Sequence, residues 1–69
     1  MMDKWFLLYS TNNHAEASII KGMLEENHIP VHIMNKQDSS YLNFGEVEVY
    51  VAHNFKELAQ SLLNKTLMN

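Results

Sequence analysis

The histidines are the residues of this sequence whose chemistry best suits a metal ion. His28 and His32 are four positions apart, but they fall across a predicted turn and strand and not on one helical face, so the spacing does not bring two ligands together. His28 and His53 are expected at the same end of the predicted sheet, where the sequence offers no certain third ligand. We therefore predict surface histidines in contact with water, and no metal site.

Glu46 and Glu48 are the residues best placed for acid–base chemistry. Two positions apart on a strand, they point the same way with their backbones about 7 Å apart. Paired carboxylates can act as acid and base, but the flanking sequence predicts no pocket around them, so a strand face in contact with water is the simpler interpretation. The serines have neither a glycine elbow nor a cysteine partner nearby. We predict no catalytic residue and no enzymatic activity.

The charged residues exclude several kinds of ligand. All five cationic side chains are lysines, against eight acids, and the formal net charge is −3. Without arginine the chain lacks the bidentate guanidinium with which acylphosphatase-type domains hold phosphate. An RNA-recognition sheet would need Tyr50 with Trp5 or Phe6 as stacking residues, but Glu46 and Glu48 share the face of Tyr50 and would repel phosphates. We predict no nucleic-acid binding.

Length and composition predict one small domain. The chain has 69 residues, of which 46% are hydrophobic, and it has no cysteine. A secreted domain of this size usually needs disulfides, so a reducing cytoplasm is the expected location. The apolar run near the start, WFLLY, is too short for a signal peptide or a membrane span. We expect no membrane association.

The first half of the chain predicts a strand, a helix and a second strand. The first strand is the apolar run Lys4–Ser10. Asn13 and Glu16 form a capping box ahead of an amphipathic helix, in which Asn13 accepts from the first turn and Glu16 reaches back to the Asn13 N–H. The helix ends near 27–28, before a proline, and the second strand covers 30–34. A glycine within the helix, Gly22, predicts close packing of that helix on the sheet.

The second half predicts a third strand and a second helix. Glu46–Val51 alternates valine with polar residues, which is typical of a half-buried strand. Asn54 and Glu57 repeat the capping box, and apolar residues at helical spacing follow. The trio Tyr9, Asn13 and Glu16 thus recurs later in the chain as Tyr50, Asn54 and Glu57. This weak repeat indicates either two copies of one β-α unit or two independent capping boxes.

The element order β-α-β-β-α predicts an α+β fold of the ferredoxin-like, GlnB-like kind. We expect a single domain over 1–69, with a three-stranded sheet, the third strand central, and both helices on one face. The usual fourth strand is missing, so the first strand is left as an unprotected edge. On that strand Trp5, Leu7 and Tyr9 form one set and Phe6 and Leu8 the other. Whichever set points away from the helices is an exposed apolar stripe, and such stripes usually mark an interface.

Two stretches of sequence also carry a family resemblance over about Trp5 to Leu63. They are WFLLYSTNNHAEASIIKGMLEENHIPV and GEVEVYVAHNFKELAQSLL. They resemble the small bacterial domains called "putative prokaryotic signal-transducing proteins", a family grouped with the GlnB-like fold. The most specific pieces are Glu16-Ala17, Lys21-Gly22, Leu24-Glu25, Ile29, and Gly45-Glu46 leading to Val51. Where the family usually has a glycine, this chain has His28, so a bulkier residue would have to hold a left-handed helix cap.

The resemblance implies a sensor or regulator that works by binding. In GlnB proteins the loop between the second and third strands contacts partners, and Asn35–Gly45 occupies the same place in the order of elements. Nucleotide-binding residues cannot be matched, so neither ATP nor 2-oxoglutarate binding is carried over and no cofactor is expected. We expect a homo-oligomer, a protein partner of unknown identity and a small-molecule effector.

Two groups of residues are the candidates for this binding. The candidates for ligand or partner contact lie at the start of the first helix and in the loop: Thr11, Asn12, His14, Lys36, Asp38, Ser39, Tyr41 and Phe44. The candidates for an oligomer interface are Trp5, Phe6, Leu8, Met34 and Tyr50. The alternative is a structural adaptor that only self-associates, or binds a partner by strand addition at the edge of the first strand.

Overall fold

Three strands and two helices follow in the predicted order. The computed structural model describes residues 4–36 and 46–67, with only the backbone of Lys36. The strands are β1 (Trp5–Thr11), β2 (Val31–Lys36) and β3 (Glu46–Ala52), and the helices are α1 (His14–Glu26) and α2 (Lys56–Leu67). A 3-10 turn, His53–Phe55, leads directly into α2. Within these residues, neither helix has the length and apolar character needed to cross a membrane.

The sheet has β3 at its centre, as predicted. Its order is β1-β3-β2, and β3 runs antiparallel to both neighbours. Val47 pairs with Thr11 on one side and with Asn35 on the other. The end of β1, the end of β2 and the start of β3 therefore lie together, beside the start of α1.

One hydrophobic core lies between the helices and one face of the sheet. Val47, Val49 and Val51 alternate with partly or fully exposed residues along β3 and are at most 3% exposed. The helices contribute apolar residues at helical spacing to the same cluster. The remaining core members are Ala17, Ile20, Leu24, Ile29, Ala59 and Leu63. The alternation in the sequence thus identified correctly which face of β3 is buried.

A β-bulge at Leu8 changes which residues of β1 share a face. Leu7 pairs with Tyr50, and Tyr9 pairs with Val49, so one extra residue of β1 is inserted between the two pairs. Leu8 and Tyr9 both pack against the core as a result. The grouping of Tyr9 with Trp5 and Leu7, which assumed regular alternation, is therefore wrong.

The N-terminal cap of α1 is half of the predicted capping box. The Asn13 Oδ1 atom accepts from the Glu16 N–H at 3.1 Å, as expected. The return bond is absent, because the Asn13 N–H donates to the Thr11 hydroxyl at 3.0 Å. The Glu16 carboxylate is engaged instead by side chains of β1.

The second predicted capping box, at Asn54 and Glu57, is wrong. Asn54 lies inside the 3-10 turn, and the residue that precedes this turn is Ala52, which makes no side-chain capping bond. β3 runs up to Ala52, so no connecting residues remain in which an asparagine could cap the helix. The sequence repeat accordingly has no structural counterpart, since only its first copy caps a helix.

The C-terminus of α1 ends in a Schellman motif held by a histidine. The Ile29 N–H donates to the Leu24 carbonyl and the His28 N–H to the Glu25 carbonyl, both at 3.0 Å. His28 lies between them with φ of 60°, the left-handed conformation that favours glycine. Leu24 and Ile29, the two ends of the motif, are both buried in the core. The expectation of a left-handed cap held by His28 is confirmed.

Replacing this histidine by glycine should stabilise the domain. We expect His28→Gly to raise the free energy of unfolding by about 1 kcal/mol, because relief of the left-handed strain outweighs the extra freedom of glycine in the unfolded chain. Urea denaturation measures the change. His28→Ala is the control, since it removes the imidazole but keeps the Cβ atom. An equal gain in both variants would show that the strain at φ is not the cause.

Gly22 lies on the exposed surface of α1, which corrects the prediction of close packing. A Cβ atom built at this position would meet no atom within 4 Å. The glycine therefore only weakens the helix.

Gly22→Ala should raise the free energy of unfolding by about 1 kcal/mol through helix propensity. Gly22→Ser should give a smaller gain, since serine is the poorer helix former of the two. Thermal unfolding of the three proteins tests this order. A loss of stability in the alanine variant would show that the added methyl group meets a contact.

Candidate functional site

The face of the sheet that points away from the helices is the candidate binding surface. We call it the open face and define it by the strand residues that pair across it. One row contains Leu7, Tyr50 and His32, and the next contains Ser10, Glu48 and Met34. Trp5 and Ala52 pair beyond the first row, and Glu46 pairs with Lys36 beyond the second.

Apolar side chains cover the part of the open face that belongs to β1. Leu7 is 43% exposed, and Trp5 lies half-buried beside it. The Trp5 ring crosses Ala52 and reaches His32 on the far strand, with ring centroids 5.8 Å apart. The small side chain of Ala52 leaves room for this crossing. The indole thus links the first and last strands of the sheet across the open face.

Polar side chains occupy the centre of the open face. The Tyr50 hydroxyl donates to Glu48 Oε1 at 2.8 Å. This hydrogen bond, followed by burial and by the charge of Glu48, raises the pKa of Tyr50 above its usual value of 10.0. The contact fixes the Glu48 carboxylate along the surface of β3. It places polar groups next to the apolar side chains of β1.

A second cluster of polar side chains joins β1 to α1. The Glu16 carboxylate accepts from the Tyr9 hydroxyl at 3.1 Å and from the Thr11 hydroxyl at 2.8 Å. Burial is the main cause that raises the pKa of Tyr9, and the hydrogen bond to Glu16 and the charge of Glu16 act in the same direction. Each polar atom in this cluster has a partner within the chain. Its role is to hold the start of α1 against the sheet.

The residues predicted for ligand contact differ in where they lie. Thr11 belongs to the β1–α1 cluster, while Asn12 and His14 are exposed at the start of α1. Lys36 ends β2 at the same end of the sheet. The remaining four lie outside the described residues: Asp38, Ser39, Tyr41 and Phe44. The pairing of the strands places both ends of the loop, Lys36 and Glu46, at the end of the sheet where Thr11 lies.

The residues predicted for an oligomer interface also fall on two sides of the sheet. Trp5, Met34 and Tyr50 lie on the open face. Phe6 and Leu8 pack against the core instead, because Phe6 pairs with the buried Val51 and the bulge turns Leu8 inward. Phe6 also meets the His53 ring edge-on at 6.1 Å and the Lys56 ammonium at 5.4 Å.

Leu7 is the residue of the open face that the predicted interface lacked. Leu7 is two positions from Trp5, so the sequence places both on the same side of the strand. A continuous apolar run, however, does not show which side of the strand is exposed. The pairing of Leu7 with Tyr50 settles that point. The most exposed apolar side chain of β1 thus lies on the open face, beside Tyr50 of the central strand.

The histidines do not cluster in the part of the chain that the structure describes. Residues 4–36 and 46–67 contain no group of three or more histidine, aspartate or glutamate side chains that could hold a metal ion. His28 and His53 precede β2 and follow β3, so they lie at one end of the sheet, as predicted from the antiparallel order.

Comparison with known proteins gives a family for the chain. Residues 5–66 match the model of a family described as "putative prokaryotic signal transducing protein". No curated protein and no solved structure matches the sequence. The match confirms the resemblance that the residues of the first helix and the third strand indicated. Since it extends over nearly all of the sequence, the chain belongs to the "putative prokaryotic signal transducing protein" family.

Proposed function

We propose that the chain is a non-enzymatic regulatory module of signal transduction, which works by binding protein through its open face. The observation that carries the proposal is the exposed apolar surface of β1, formed by Trp5 and Leu7 on the side of the sheet away from both helices. The family description supports a role in signalling. The finer arrangement that we propose is ferredoxin-like and GlnB-like, which agrees with a central β3.

The partner that we propose for the open face is a second copy of the chain. The apolar side chains lie on β1 at one edge of the sheet, and the Glu48 carboxylate lies on the central strand. Two copies that meet through β1 bury Trp5 and Leu7 against each other and leave the two β3 strands on opposite flanks. Contact centred on β3 would instead bury the polar groups of Glu48 and Tyr50, which costs free energy. The distribution of apolar and polar side chains therefore favours a dimer centred on β1.

The bulge argues against strand addition as the mode of contact. An edge strand interrupted by a bulge is a poor template for another strand, because its row of free N–H and C=O groups is no longer regular. The bulge at Leu8 interrupts β1 in this way. We therefore prefer contact through the face to the adaptor function that adds a strand at the β1 edge.

The connection between β2 and β3 is the second contact surface in this proposal. Its two ends, Lys36 and Glu46, pair with each other beside the start of α1. A partner that touches this connection would thus also reach the exposed Asn12 and His14. We place the protein in the cytoplasm, consistent with a cysteine-free sequence.

Leu7→Gln should weaken the dimer. Burying the exposed part of this side chain in both copies is worth about 1.5 kcal/mol, so the dissociation constant should rise roughly tenfold. Trp5 is the only tryptophan and lies on the same face, so its fluorescence during dilution measures the change.

The matched control for this experiment is Leu58→Gln. Leu58 is 48% exposed, almost the same as Leu7, but it lies on α2. The control should dissociate like the wild type. If both variants weaken association equally, or neither does, the open face is not the dimer contact.

A further inference from the structure

A cleft between α1 and β2 is lined by several hydrogen-bond donors, among them one lysine. It has a volume of about 250 Å³ and lies on the helix side of the sheet, away from the open face. His14, Ser18 and Lys21 line one wall at helical spacing along α1, and Asn35 of β2 lines the other. Ile33 and Val47 form an apolar floor. Such a floor with a few converging polar groups is the usual make-up of a small-molecule site.

Among the residues that the structure describes, the one charged side chain that lines the cleft is a lysine, in a chain whose overall charge is negative. The chain carries a net charge of −3, but the described residues that line the cleft include a lysine and no carboxylate. Glu16, the acid in the first turn of α1, is held on the β1 side by the Tyr9 and Thr11 hydroxyls. A ligand in the cleft would therefore meet donors without a nearby fixed negative charge from that turn.

Lys21 is available to such a ligand. Its ammonium group contacts Glu25 at 3.0 Å, and both side chains are about half exposed. An exposed ion pair of this kind contributes little to stability, so a ligand oxygen can replace the carboxylate at little cost. Glu25 thus acts as a competitor for the lysine, one turn beyond the cleft.

We propose that the cleft between α1 and β2 binds a small organic oxyanion, with Lys21 as the counter-charge. The volume is below the range of about 300 to 1,000 Å³ typical of drug-sized ligands, which indicates a compact molecule. The apolar floor suits a short carbon body, and the donors suit a carboxylate or a phosphate group. This proposal names the chemical class of the effector in the regulatory function proposed above. That the bound anion acts as an effector rests on that proposed function.

The test is a titration of the full chain followed by amide chemical shifts. The probes are sodium butyrate and sodium phosphate, each matched in ionic strength by sodium chloride. We expect saturable chemical-shift changes centred on His14, Ser18 and Asn35. Butyrate should bind more tightly than phosphate if the apolar floor holds a carbon body. Phosphate should bind more tightly than butyrate if the donors alone hold the ligand. Shifts that chloride reproduces, or that spread over the whole surface, would overturn the proposal.

Two variants that break the same ion pair should change the affinity in opposite directions. Lys21→Gln removes the counter-charge and should weaken binding at least about tenfold, as expected for the loss of a charge-assisted bond. Glu25→Gln removes the competitor and should strengthen binding a few-fold. A merely structural role of the pair would move both variants the same way, which would contradict the proposal.

The controls for charge lie on α2, away from the cleft. Lys65→Gln and Glu57→Gln make the same changes of net charge at exposed positions. These α2 variants should leave the affinity for the anion near that of the wild type. If they change the affinity as much as the Lys21 and Glu25 variants do, the binding is only nonspecific electrostatic attraction. Dimerisation is measured separately by dilution, so failure of anion binding is distinguishable from failure of the open face.

Discussion

Leu24→Ala is expected to destabilise the domain by about 3 kcal/mol. Leu24 is 0% exposed and lies in the core cluster with Ile20 and Ile29. Truncation to alanine leaves a cavity that a close-packed core fills only in part. The same residue supplies the carbonyl that accepts from Ile29 in the helix cap, so the loss falls where α1 is joined to β2. In a chain of 69 residues this is a large share of the total stability.

Urea denaturation measures this loss, and Leu58→Ala is its control. Leu58 is the same residue type on the other helix, but it is 48% exposed. The control should stay within about 0.5 kcal/mol of the wild type, as surface substitutions usually do. A loss below about 1 kcal/mol in Leu24→Ala would contradict the described core.

Glu16→Ala is expected to cost about 2 kcal/mol. The substitution leaves the Tyr9 and Thr11 hydroxyls without their shared acceptor in a partly buried place, and bonds to a charged acceptor are among the stronger ones. The better helix propensity of alanine offsets only a few tenths of this. Glu16→Gln keeps an acceptor oxygen and should cost less. A double-mutant cycle with Tyr9→Phe should show non-additive losses, since both changes break one bond.

The same cluster should make stability depend on alkaline pH. The pKa of Tyr9 is raised in the folded chain, so above about pH 10 the unfolded chain loses the proton first. The free energy of unfolding is then fully retained below pH 10 and falls as the pH rises through the higher folded pKa. Tyr50, with its hydroxyl bonded to Glu48, acts in the same direction.

Unfolding curves between pH 8 and 12 test this dependence. Tyr9→Phe should lose less stability over that range than the wild type does, although it starts lower. In Glu16→Gln, the absorbance titration of tyrosine should shift toward lower pH, because the charge that holds the proton is gone. An unchanged titration would show that burial alone raises the pKa of Tyr9.

Local patterns in the sequence were enough to predict the order of the elements and the buried face of β3. The valines at positions 47, 49 and 51 alternate strictly, and a strand with one buried face needs only that. The cap at Asn13 was also predictable, since Asn12 and Asn13 leave room for a turn between β1 and α1. Asn54 also has a glutamate three positions later, but β3 extends to Ala52 and the 3-10 turn follows at once, which removes that room.

Which residues form the open face depends on contacts between strands, and a local sequence pattern does not show these contacts. In WFLLYS every position but the last is apolar, so the bulge at Leu8 leaves no trace in the alternation. Which side Leu7 and Tyr9 occupy is decided by their partners Tyr50 and Val49. The cleft that contains Lys21 arises in the same way, because residues of α1 and β2 far apart in sequence form its walls.

The molar mass of the wild-type chain, measured by light scattering as a function of concentration, tests most directly whether the open face joins two copies. One chain has a mass of 8.0 kDa. We predict that the measured mass rises toward twice this value with concentration, and that Leu7→Gln moves the midpoint to higher concentration while Leu58→Gln does not. A mass of 8.0 kDa that persists to millimolar concentration would contradict the proposed dimer.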